Sequence, residues 1–326
     1  RFTYHGFRYV EVPGFPGRPT LESVTARAIH AAVEETGTFT SSDPLLNRIH
    51  ENFRWSIRNN LMGIPTDTAV RDERTPCQMD SLAVEETAIA NFDMASYYAK
   101  WLQDIRGDTG TAPNWSGDQV VLPQLLYQHY GDRRILEEHF ENMERLCAGY
   151  LQQVESGNRW ADGFGDWAAP NESGDYKTSF SEGEIVNGAF FYRAAAITAE
   201  TAEILGFPEK AAEDRELAER LAREFNERHF HPATFTYGSG WQVPSVLPLA
   251  FGIVHEAART DVARVLHRRV IDRDGGHLDT GNLGTRYLFD VLIDYGFADT
   301  AYGVLGRRTY PGYGYQIALG ATTTWE

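Results

Sequence analysis

The densest gathering of reactive side chains is PTDTAVRDERTPCQMD, residues 65–80, which carries Asp67, Arg71, Asp72, Glu73, Arg74 and Asp80 between Pro65 and Pro76. Prolines at both ends place this segment in a loop between helices. A carboxyl crowded by carboxylates and walled by apolar groups keeps its proton to higher pH and suits a general acid, while adjacent arginines keep their neighbours ionised. The same charge pattern also describes a solvated ion-pair loop, because mixed charge runs are common on surfaces. A second constellation is GFGDWAAP, residues 163–170, with Asp166 beside Trp167; upstream, NWSGD carries Trp115 and Asp118. An aromatic face next to a carboxylate fits a sugar, whose C–H groups stack on the ring while its hydroxyls donate to the acid. Taken singly, each motif reads better as a tryptophan buried at a loop base with Asp as a turn residue. Together in the long loops of one side, they point to a carbohydrate cleft.

Other candidates carry less chemistry. Residues 309–326, TYPGYGYQIALGATTTWE, read as an extended loop with tight turns, and nothing in their spacing singles out the final Glu326. His229 and His231 form an HxH at a helix end, but two histidines without a third ligand make a poor metal site. Cys77 lies in the charged loop without the companions of a thiol nucleophile, so packing is its expected role. TGNLGT and GYGY lack the strand-then-helix context of a phosphate loop, and no G-x-S-x-G, H-E-x-x-H or kinase motif occurs.

These residues need a scaffold, and from Ser41 onward the spacing is helical. Asp43–Pro44 is a strong helix start, followed by Leu46, Ile49, Phe53 and Ile57 at helical spacing until Gly63–Pro65. Further helices are expected over 80–106, 119–130, 132–155, 183–206, 208–230, 244–257, 259–272, 282–296 and 297–308. They pair into five hairpins joined alternately by short turns and by long Gly-, Trp- and Asp-rich loops. A toroid of hairpins follows, mainly α, an (α/α)6 barrel incomplete at its C-terminal end, with the sixth hairpin expected after Thr324. Residues 1–40 differ: Phe2, Tyr4, Phe7, Tyr9, Val10 and Val12 alternate like a strand, and a second β-like stretch runs to Phe39. The expected organisation is thus the tail of an N-terminal β-sandwich or linker over 1–40 and the barrel over 41–326. With 30 Lys and Arg against 46 Asp and Glu, the formal charge of −16 disfavours a nucleic-acid partner or an anionic membrane surface. The 326 residues include two cysteines, Cys77 and Cys147, so apolar burial rather than a disulfide framework must hold the core. No apolar run reaches membrane-spanning length.

The ordered set PTD, RDER, GDW, LDTGNLGTRYL, YPGYGY and GATTTWE resembles the bacterial α-L-rhamnosidases of glycoside hydrolase family 78, and FTYHGFRYVEVPG resembles the end of the β domain preceding their catalytic barrel. The resemblance spans nearly the whole chain and implies inverting hydrolysis of terminal rhamnose from plant glycosides or polysaccharides, with no metal or cofactor in catalysis. It implies Glu73 as the general acid and Glu326 as the general base, with Asp67, Arg71, Asp72, Asp166 and Trp167 lining the rhamnose subsite. An inverting enzyme needs its two carboxyls about 6.5–9.5 Å apart with water between them. Glu73 and Glu326 lie 253 residues apart, nearly once around a barrel. The chain departs from the family pattern at Thr68–Val70, usually Cys-Pro-Gln, at Thr75–Cys77, usually Leu-Gly-Trp, and at Tyr313, usually Trp. Those changes bear on the sugar and leaving group and leave the acid and base positions intact. Hydrolysis of another sugar, a fucoside or uronate, and carbohydrate binding without turnover are the alternatives; the presence of both glutamates speaks against the latter.

Overall fold

The expected helices form, and they alternate between two kinds. The computed structural model describes residues 4–68, 77–108, 112–170 and 182–325. Among them the α-helices are α1 (Pro44–Asn60), α2 (Gln78–Asn91), α3 (Ala95–Ile105), α4 (Pro113–Ser116), α5 (Asp118–Tyr130), α6 (Arg134–Glu155) and α7 (Gly183–Leu205). After these come α8 (Pro208–His229), α9 (Gln242–Ala250), α10 (Arg259–Arg268), α11 (Asn282–Asp294), α12 (Ala298–Leu305) and α13 (Tyr313–Ala318). Helices α5 and α7 bury side chains on every face, whereas α1, α3, α6 and α10 each bury a single stripe. A helix apolar all round must be covered on all sides, and one with a stripe lies against the core with its back in water.

Packing follows from that difference. The inner helices α2, α5, α7, α9 and α11 touch in that order, and α11 returns to α2, so the ring closes. Each is followed through a short connection by its outer partner: α2–α3, α5–α6, α7–α8, α9–α10 and α11–α12, five hairpins among the described residues. The core runs through this ring, with Trp101, Tyr98, Tyr150, Phe190, Phe191, Leu122 and Leu288 almost wholly buried. Helices α1 and α13 pack on each other beside the seam, so the first and last helices meet.

Three differences from the expected elements have local causes. The single helix expected over 80–106 is a hairpin, broken where Phe92 takes an extended conformation and bridges Glu35. There the Asp93 carboxylate accepts from the Ala95 amide (3.2 Å) and the Tyr130 hydroxyl accepts from the Met94 amide (2.9 Å), which starts α3 on a new axis. The helix expected over 244–257 ends at Ala250, where Gly252 is left-handed (φ 78°) and the Arg259 guanidinium takes the Val254 carbonyl at 3.0 Å. Residues 313–318, read as loop, form α13. The β-like stretches within 4–40 contain no regular strand, only a 3-10 turn at Leu21–Ser23 and the Glu35–Phe92 bridge. Phe7, Tyr9, Val10, Val12, Val24 and Ile29 are exposed there, as an alternating segment must be when no described neighbour completes its ladder.

Candidate active site

Because each hairpin leads with its inner helix, every long connection reaches the ring at the same end. Segments 61–77, 106–117, 156–182, 230–241 and 274–281 precede α2, α5, α7, α9 and α11, and only two to eight residues close each hairpin at the other end. At the loop-bearing end, beside the seam, a cavity of about 1080 Å³ lies among α1, α2, α11 and α13. Its walls include Asp67 from the first long loop, Asp80 from the first turn of α2, Ala168–Pro170, Thr280–Asn282, Gln316 and Trp325.

Asp67 reaches the cavity because α1 ends just before it. Thr66 donates its amide (3.0 Å) to the Asn60 carbonyl, and its hydroxyl bonds the Asn60 side chain at 3.0 Å. The chain's last residues are held to the same helix. The Ala321 carbonyl accepts from Arg48 and Asn52, each at 3.3 Å, and the Thr324 amide donates to Ser56 Oγ at 2.7 Å. The Trp325 amide donates to Gln316 Oε1 at 3.1 Å. The described flanks of the two expected catalytic stretches, Asp67 and Asp80 on one side and Thr324 and Trp325 on the other, thus line one cavity. Glu73, Arg71, Asp72 and Glu326 themselves lie outside the described residues.

The second constellation assembles differently from the expectation. Its aromatic rings stack together, Trp115 on Phe164 (centroids 5.1 Å apart) and Phe164 edge-on to Trp167 (5.2 Å). The carboxylates turn away from the cavity. Asp118 is fully buried in the ring, accepts from the Trp101 indole at 3.0 Å, and is pushed well above the usual carboxylate range by burial. Asp166, 3% exposed, spends both oxygens on backbone: Oδ2 accepts from the Gly281 amide (2.7 Å), and Oδ1 from Leu283 and Gly284 (3.0 Å each). Burial raises its pKa to about 6 against the opposing pull of those three amides. Asp166, expected among the substrate-lining residues, thus lies behind the residues that line this cavity, with both oxygens bound to backbone amides. Trp167 is half-buried in the aromatic stack, and Ala168–Pro170 are the part of this loop that faces the cavity.

Sequence reasoning missed the residues that hold this loop. Asn114 Nδ2 donates to the carbonyls of Phe164 (2.9 Å) and Gly165 (3.1 Å), and Asn187 Nδ2 donates to Phe164 at 3.0 Å. For Asn187 the available signal was an amide within the apolar stretch 185–191 of an inner helix, since a buried amide must find partners. Sequence reasoning also missed Glu85 and Arg286. Arg286, on the cavity wall, lies 3.8 Å from Glu85 and 3.4 Å from Glu86. Burial pushes Glu85 up to about 8, outweighing the attraction of Arg286.

The remaining candidates stay apart from the cavity or carry no donor set. His229 lies 4.0 Å from Glu184 at the end of α8, and no group of three or more metal-ligating side chains occurs among the described residues. Cys77 precedes α2, while Cys147 is buried against Thr198 (3.4 Å), its thiol pushed up to about 12 by desolvation. No helix among the described residues is long and apolar enough to cross a membrane.

Residues 34–326 match the model of the bacterial alpha-L-rhamnosidase 6 hairpin glycosidase domain, and residues 1–30 that of the bacterial alpha-L-rhamnosidase concanavalin-like domain. The chain is 36% identical to an alpha-L-rhamnosidase of Streptomyces avermitilis, over all of this chain and 32% of the relative. It is 32% identical to one of Formosa agariphila, over all of this chain and 37% of the relative. It thus spans about a third of the length of the curated relatives it matches. Among solved structures, the alpha-L-rhamnosidase from Dictyoglumus thermophilum superposes with a TM-score of 0.92 at 36% identity, over all of this chain and 39% of that one. The Streptomyces avermitilis alpha-L-rhamnosidase complexed with L-rhamnose superposes at 0.89 with 33% identity, over 99% of this chain and 32% of that one.

Proposed function

The chain belongs to the bacterial α-L-rhamnosidase family, with an (α/α)6 barrel, and on that premise we propose that it removes terminal α-L-rhamnose from glycosides or polysaccharides with inversion. The observation that carries this reading is the convergence on one cavity of the segment preceding RDER and the segment ending in Trp325. In the proposed reaction Glu73, protonated, donates its proton to the departing glycosidic oxygen. Glu326, ionised, takes a proton from a water that attacks the anomeric carbon from the opposite face. The C–O bond to the aglycone breaks as the bond to water forms, and both carboxyls exchange their protonation states. Asp67, Arg71 and Asp72 bind the sugar hydroxyls; Trp167 acts through the stack that backs Ala168–Pro170. The reaction as proposed uses no metal or cofactor. Residues 1–40 are proposed to belong to a β domain, which the match of 1–30 supports.

Full-length protein should release p-nitrophenol from its α-L-rhamnoside, and on an alkyl α-L-rhamnoside, whose poor leaving group must be protonated as it departs, Glu73→Gln should lose roughly 10²–10⁴-fold in turnover, the usual worth of a general acid. Turnover of a fucoside or uronate in preference to the rhamnoside would reassign the sugar. Binding without hydrolysis by the unaltered protein would remove the enzymatic reading.

A further inference from the structure

We propose that Asp166 is a positioning residue: its buried carboxylate pins the 163–170 loop to the first turn of α11 and so sets the cleft wall built from Ala168–Pro170 and Thr280–Asn282. This inference deepens the proposed function and rests on it for the identity of the substrate.

The geometry is that of a lock with fittings on both sides. Three amides at the start of α11, those of Gly281, Leu283 and Gly284, converge on the Asp166 carboxylate. Helix starts leave such amides without intrahelical partners, and here a residue 115 positions earlier supplies what a local cap ordinarily would. One residue on, the Trp167 carbonyl accepts from the Asn282 amide at 2.9 Å. The close approach also explains two glycines. A Cβ on Gly284 would stand 2.5 Å from Asp166 Oδ2, and one on Gly281 would stand 2.1 Å from the Trp167 carbonyl oxygen.

On its other side the loop is fixed by Asn114 and Asn187 through the Phe164 and Gly165 carbonyls. Between the pins and the cavity, Ala168 sits in the left-handed region (φ 59°), which an alanine keeps only where its surroundings over-determine it. The carboxylate cannot act on a sugar directly, because its oxygens are spent on backbone and its residue is buried. Its effect reaches the cavity through the two wall segments that it joins.

Two variants of full-length protein test this. Gly284→Ala keeps the carboxylate and displaces it; Asp166→Asn keeps the shape and replaces one acceptor oxygen by a donor facing an amide. Hydrogen exchange followed by mass spectrometry should show faster exchange across 163–170 in Gly284→Ala, although the altered residue is on α11. That coupling can be read whether or not the protein hydrolyses a rhamnoside. With the p-nitrophenyl rhamnoside, both variants should raise KM roughly tenfold and change kcat less than about threefold, the signature of lost binding geometry rather than lost chemistry. Asp166→Ala, which abandons all three amides, should be worse than Asp166→Asn. Unchanged exchange across 163–170 would overturn the proposal. So would a kcat loss at unchanged KM, or loss of the helical circular-dichroism signal in Asp166→Asn, which would assign the carboxylate to chemistry or to the fold at large.

Discussion

Asp166 and Glu85 are buried carboxyls whose partners lie far along the chain, the start of α11 for the first and Arg286 for the second. Asp166 stands out beside Trp167, but its hydrogen-bond donors lie more than a hundred residues away, in a TGNLGT motif whose glycines read only as excluded phosphate loops. Glu85 sits in an ordinary-looking helix, and only the ring's closure brings Arg286 to it. Its titration has a measurable consequence. A glutamate in the unfolded chain loses its proton near 4.5, whereas burial holds that proton to about 8 in the folded protein. Between those values the native state binds a proton that the unfolded chain has released, so stability is full below the window and declines as pH rises through it. Glu85→Gln should flatten the fall in thermal midpoint between pH 5 and pH 8, with the variant ahead at the upper end. Parallel curves would mean that the carboxyl is solvated. Asp166 contributes the same sign over the narrower interval from 3.8 to about 6.

At the level of elements, local chemistry located most boundaries. Asp43 caps α1 through the Leu45 amide at 2.8 Å with Pro44 in the first turn, and Pro208 opens α8. The break at Phe92–Met94 escaped notice because it depends on a tertiary partner, the 31–37 segment, whose Thr36 and Gly37 amides donate to the Asn91 carbonyl (2.9 and 3.2 Å). Gly37 fits there only without a side chain, since a Cβ would lie 2.0 Å from the Ala90 carbonyl oxygen. Gly37→Ala should therefore destabilise the protein by about 1–3 kcal/mol, the usual cost of forcing atoms into packed structure. Gly149, in α6 with open space around its would-be Cβ, should behave oppositely. Gly149→Ala should stabilise by about 0.5–1 kcal/mol through the helix-propensity difference alone. Chemical denaturation of the two variants checks both signs, and a neutral Gly37→Ala would show that the 31–37 segment is not docked on α2.

Across the whole molecule, the alternation of short turns and long loops already implied a ring of hairpins, and the order and contacts of the inner helices bear that ring out. The pairing did not follow from spacing, because α1 reads as the first member of a hairpin and instead lies beside the seam with α13. That placement brings the two ends of the barrel segment to one cavity. Two carboxyls across a sugar with water between them give inversion, whereas direct attack by a carboxylate gives retention. Proton NMR of the first sugar released from an α-L-rhamnoside by full-length protein reads this directly. Inversion requires the β-anomer of L-rhamnose to appear first, with the α-anomer growing only by mutarotation. Initial release of the α-anomer would contradict it.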